Sequence, residues 1–110
     1  MVYGEKKMME VSSKKILIIE HERPWELRFY IKGEQISYYV RDQGRGVFAI
    51  FVEENTKEER KPIDANMKTY KDFGVENVDQ LYFNLRVAPS KYFEMLTGRK
   101  VDIGYVVLPD

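Results

Sequence analysis

The chain has 110 residues, 18 basic and 18 acidic, no cysteine, and 44% apolar side chains. That length suits one domain, and size scaling buries about two-thirds of the unfolded surface, enough for a core without covalent staples. The composition excludes a collagen-like chain, a disulfide scaffold and a fully disordered protein, and zero net charge removes any global attraction to polyanions.

Residues 1–13 are polar and without a clear period. They are expected to form an arm or a short helix ahead of a single domain over 14–110. The arm has no apolar h-region, so no secretory signal is expected, and with no cysteine present a cytoplasmic site is the natural expectation. The run Val47 to Val52 is far too short for the roughly 20 apolar residues of a membrane span. Glu and Lys greatly outnumber Gln and Asn, which resembles a thermophile's surface.

Strand patterning starts at Lys14. The segment Lys15 to Glu20 is apolar on both faces, as in a strand paired or covered on both sides. After Pro24, the residues Trp25, Leu27, Phe29 and Ile31 alternate with Glu26, Arg28, Tyr30 and Lys32. Gly33-Glu34 fits a two-residue hairpin loop. That register places Phe29 opposite Tyr38 and Leu27 opposite Val40 on one face, and Arg28 opposite Tyr39 and Glu26 opposite Arg41 on the other. Gln43 to Gly46 forms a second turn, and Val47 to Glu53 is expected to return with Ala49 opposite Val40 and Phe51 opposite Tyr38. Phe48, Ile50 and Val52 then need cover from a helix.

Asn55 to Pro62 reads as a charged loop. Asp64 is expected to cap a helix ending near Phe73, with Gly74 just past it. Leu81, Phe83, Leu85 and Val87 alternate like a strand. Pro89 and Gly98 bracket a short helix whose apolar face is Tyr92, Phe93 and Leu96, and Val101 to Leu108 is a last strand. The expected class is α+β: a mostly antiparallel sheet with two short helices packed on one face, in the chain order ββββαβαβ.

Candidate chemistry is sparse. His21 is the single histidine. No serine (Ser12, Ser13, Ser37, Ser90) sits in a Gly-x-Ser-x-Gly elbow that would mark a nucleophile for it. Zinc favours Cys and His at short spacings, which the chain lacks. Glu53, Glu54, Glu58, Glu59 and Asp64 could offer oxygen ligands, but Lys57, Arg60 and Lys61 interleave with them and calcium-loop spacing is absent. Glu59-Arg60-Lys61 has the Glu-x-Lys form of a metal-dependent nuclease strand, in surroundings that read as loop. No glycine-rich nucleotide fingerprint occurs, so no cofactor is expected.

One cluster carries a functional expectation. Arg28, Tyr30, Lys32, Tyr39 and Arg41 fall on the non-core face of the first hairpin, with Arg45 at the next turn. Basic residues among aromatics on a sheet suit single-stranded nucleic acid, where bases stack and cations follow phosphates. The same residues suit a protein interface, where Tyr contributes area with a polar tip. Within the sheet, Arg28 can equally stack on Tyr39, and Glu26 can pair with Arg41. The sequence is therefore expected to encode a non-enzymatic binding or regulatory module that contacts a protein or a second copy of itself, without a membrane. A single-stranded nucleic-acid binder is the alternative, and a metal-dependent enzyme the third reading.

Overall fold

The computed structural model describes residues 14–54, 60–62 and 67–109. Seven strands form one sheet: β1 (Lys15–Arg23), β2 (Glu26–Ile31), β3 (Ile36–Gly44), β4 (Val47–Glu54), β5 (Arg60–Pro62), β6 (Lys68–Thr69) and β7 (Ile103–Val107). Their spatial order is β5-β4-β3-β2-β1-β7, with β6 also pairing β4. All pairings are antiparallel except β7 on β1, which is parallel. Two helices, α1 (Val78–Val87) and α2 (Pro89–Thr97), join the sheet's core face. The α+β class holds. The chain order does not: six strands precede a 3-10 turn, two helices and the last strand.

The first hairpin has the expected register, from Glu26 opposite Arg41 to Phe29 opposite Tyr38. Its turn differs in detail. Glu34 N–H donates to the Ile31 carbonyl at 3.0 Å, so Lys32 and Gly33 are the central residues, and Gly33 supplies the positive φ of 92° in the second position. Trp25 lies outside the strand and is half exposed.

The register of β4 departs from expectation by one residue. Val40 pairs with Ile50 and Tyr38 with Val52, not with Ala49 and Phe51. The ladder steps from Asp42–Phe48 to Gly44–Val47, leaving Gln43 as an extra residue in β3. Arg45 and Gly46, with φ of 58° and 78°, then form a two-residue turn of the I′ kind. Because side chains alternate with period two, this one-residue step inverts the faces of β4. Phe48 and Ile50 join Phe29 and Val40 in the core, and Ala49 and Phe51 turn to the opposite face.

The middle of the chain differs more. Arg60–Pro62, expected in a loop, is strand β5 on β4. The expected helix from Asp64 to Phe73 is instead β6 followed by a 3-10 turn over Tyr70–Phe73, closed by Gly74 at φ 71°. Asp64 itself lies outside the described residues. The expected strand over Leu81–Val87 is the last seven residues of α1. Asn77 caps that helix, its side chain accepting from Gln80 N–H at 2.9 Å. Val78, Leu81 and Leu85 follow helical spacing into the core, while Phe83 and Val87 stand out in solvent.

Helix α2 matches its expected span, with Pro89 in its first turn and Gly98 beyond its end at φ 78°. Phe93 meets the rings of Phe29 and Tyr38 at 5.9 and 5.6 Å. Just past the helix, Arg99 donates two hydrogen bonds to Glu34 (2.8 and 2.9 Å) and one to the Tyr38 hydroxyl (3.0 Å). The end of α2 is thereby tied to the β2–β3 turn.

Candidate functional site

With α1 and α2 on the core side, the other side of the sheet is the surface where function can be sought. Strand pairing places Ile16, Ile18 and Glu20 of β1, Glu26, Arg28 and Tyr30 of β2, Ser37, Tyr39 and Arg41 of β3, and Ala49, Phe51 and Glu53 of β4 on it. The sequence expectation of one shared face for Arg28, Tyr30, Tyr39 and Arg41 thus describes their arrangement.

Each of these side chains has partners within the sheet. The Arg28 guanidinium donates to Glu20 at 2.7 Å, lies 3.7 Å from Glu22, and reaches Ser37 Oγ at 3.2 Å. It also covers the Tyr30 ring at 4.8 Å. Arg41 donates through Nε to Glu26 at 2.8 Å and stacks over Phe51 at 4.9 Å. The Glu26 carboxylate is buried while Arg41 reaches solvent, so the arginine matches a charge that burial would otherwise leave costly. Tyr39 is buried and its hydroxyl donates to Glu53 at 3.0 Å.

Lys32 and Arg45 stand apart. Lys32 is exposed in the β2–β3 turn, and Arg45 is exposed at the β3–β4 tip. These turns lie at opposite ends of β3, roughly 25 Å apart along the strand. The six residues therefore form a central group of four with two outliers.

The other candidate residues that are described lie apart from this group. His21 Nε2 lies 3.8 Å from Asp79, and its ring meets Tyr82 at 4.4 Å, against the first turns of α1. Ser37 accepts from Arg28, and Ser90 Oγ accepts the Ile103 N–H at 2.9 Å, joining α2 to β7. Ser12 and Ser13 lie outside the described residues, as do Glu58 and Glu59. Among the described residues no three acidic or histidine side chains converge as metal ligands. No helix among them is long and apolar enough to cross a membrane.

Sequence reasoning missed the corner where β7 meets β1. Tyr105 is opposite Ile16 and Val107 opposite Ile18, on the face turned away from α1 and α2. Tyr105 is 72% exposed and Val107 46%. The pairing skips Gly104 between Ile103 and Tyr105, so Ile103 points to the core while Tyr105 points away from it. The Lys14 stem crosses over Gly104, where an added Cβ would sit 3.1 Å from the Lys14 Cβ. Lys14, Ile16, Gly104 and Tyr105 line a shallow cleft of about 450 Å³. The only sequence signal was a strand with no charge from Ile103 to Leu108, and nothing local says that such a strand lies at an edge.

No family model matches the sequence, and no curated protein or solved structure matches it.

Proposed function

We propose that this chain is a non-enzymatic binding or regulatory module acting through protein–protein contacts made by the face of its sheet turned away from α1 and α2. The observation that carries this reading is charge balance within that face. Arg28 is matched by Glu20 and Glu22, and Arg41 by Glu26. A nucleic-acid site works by releasing counterions from phosphates, which needs cations not already neutralised by carboxylates. The corner at Ile16, Ile18, Tyr105 and Val107 offers what a protein interface uses at its centre, an exposed aromatic ring beside aliphatic side chains, with Lys14 at its rim.

The deciding experiment is a titration of labelled single-stranded DNA and RNA with the protein, read by fluorescence anisotropy at low and at physiological salt. The expected outcome is no binding at physiological salt and at most weak binding at low salt. Micromolar affinity with a steep salt slope would overturn the reading in favour of a single-stranded nucleic-acid binder, with Arg28, Tyr30, Lys32, Tyr39, Arg41 and Arg45 as its contact residues.

A further inference from the structure

The two edges of the sheet differ in chemistry. One edge is made of β5 and β6, three and two residues long, with the sequences Arg60-Lys61-Pro62 and Lys68-Thr69. Short length, lysine and proline are the features by which edge strands avoid pairing with other chains. The other edge, β7, reads Ile-Gly-Tyr-Val-Val and carries none of them. Among the described residues it pairs with β1 alone, and none of them pairs with its outer row of N–H and C=O groups.

We propose that two copies of the chain pair antiparallel through the outer edge of β7, about a two-fold axis at Val106. This deepens the reading above by naming the partner of the same face. Three observations select a second copy. The strand is uncharged, so a self-complementary pairing brings no like charges together. The opposite edge is basic and short, so contacts through it, head to tail with β7 or with a second copy of itself, are disfavoured, and the β7–β7 contact closes as a two-fold dimer. The register is also favourable. An axis at Val106 sets Tyr105 opposite Val107 of the second copy, twice, and each pair lies on the face turned away from α1 and α2, where both side chains are exposed. Aromatic rings opposite β-branched residues are among the favourable cross-strand pairs. The paired sheets become continuous, and the two apolar corners merge into one patch.

With the axis at Val106 the two strands share Tyr105 to Val107, about 10 Å of edge, so a weak dissociation constant, on the order of 100 μM, is expected. Sedimentation equilibrium on the full chain, across a concentration range spanning that value, tests this. A monomer–dimer equilibrium is expected. The dissociation constant should rise at least about tenfold in Tyr105→Lys and in Val107→Lys, and stay unchanged in Phe83→Lys on the exposed side of α1. Both edge positions are exposed, so circular dichroism should report an intact fold; two separate variants guard against one that misfolds. The chain has no cysteine of its own, so mixing Tyr105→Cys with Val107→Cys chains under oxidising conditions reads the register. The mixture should cross-link faster than either variant alone. A monomer at every concentration, a dimer indifferent to both lysine variants, or faster cross-linking by Tyr105→Cys alone would each overturn the proposal. A monomer that also ignores nucleic acid overturns only this pairing. Steeply salt-dependent nucleic-acid binding overturns the broader reading.

Discussion

Arg41 and Arg45 lie four positions apart, one bound to a buried carboxylate and the other at a solvent-exposed turn. Removing Arg41 takes away the 2.8 Å bond to Glu26 and the cover over Phe51. Removing Arg45 opens no buried site. Arg41→Ala is therefore expected to cost on the order of 2 kcal/mol, and Arg45→Ala to stay within about 0.5 kcal/mol of the parent. Urea denaturation of both variants checks this, and equal midpoints would refute the structural role given to Arg41. Tyr70 provides a second contrast. Burial, reinforced by the 2.7 Å bond to Asp42, pushes its phenol well above the ordinary value of 10. An unfolded chain ionises this group near pH 10 while the folded chain does not. Its contribution is thus complete below pH 10 and lost as pH rises further. Tyr70→Phe should flatten the alkaline side of the stability curve, and curves that fall in parallel would contradict the assignment. At this scale the sequence was partly legible. Alternation set Arg28 and Arg41 beside tyrosines on one face. It could not show that Glu20 and Glu22 come alongside Arg28, because the pairing of β1 with β2 follows from the whole sheet rather than from a local pattern.

Gln43 shows how one residue decides the faces of a whole strand. It is the extra residue that turns Phe48 and Ile50 toward the helices. A chain lacking Gln43 must either break the I′ turn at Arg45-Gly46 or send these two side chains to the opposite face. The deletion is expected to abolish cooperative thermal unfolding, whereas Gln43→Ala, which keeps the residue count, should melt close to the parent. A deletion variant with parental Tm would remove the bulge from its role. Helix α1 was misread for a related reason. Leu81, Phe83, Leu85 and Val87 satisfy period two, while Val78, Leu81 and Leu85 satisfy the helical period, and both patterns coexist in one segment. Exposure separates them, since Phe83 and Val87 are more than half exposed. A cap signal was present in the sequence: Asn77 with Gln80 three residues on, where the Gln80 N–H donates to Asn77 and its side chain accepts from Glu76 N–H. Asn77→Ala should lower stability by about 1 kcal/mol, measurable by chemical denaturation. Pro89 and Gly98 bracketed α2 clearly because no competing period overlapped them.

Across the whole molecule, helix and sheet are joined by more than apolar packing. The Arg99–Glu34 pair spans 65 positions of sequence and fastens the end of α2 to the β2–β3 turn. Hydrogen bonding to Arg99, partly opposed by burial, holds the Glu34 carboxyl below its usual value near 4.5. The folded value being the lower one, the stabilisation is complete above the unfolded value and is lost as pH falls through the folded one. Other carboxylates titrate in the same range, so the wild-type acid limb alone does not isolate this pair. Comparison with Glu34→Gln does, because the remaining acids contribute to both proteins. At neutral pH the variant should melt lower than the parent, having lost the charge-assisted fork. As pH falls below the ordinary carboxyl value the gap should narrow, as Glu34 in the parent takes up its proton. A gap that stays constant with pH would mean that the geometry of the pair contributes and its charge does not.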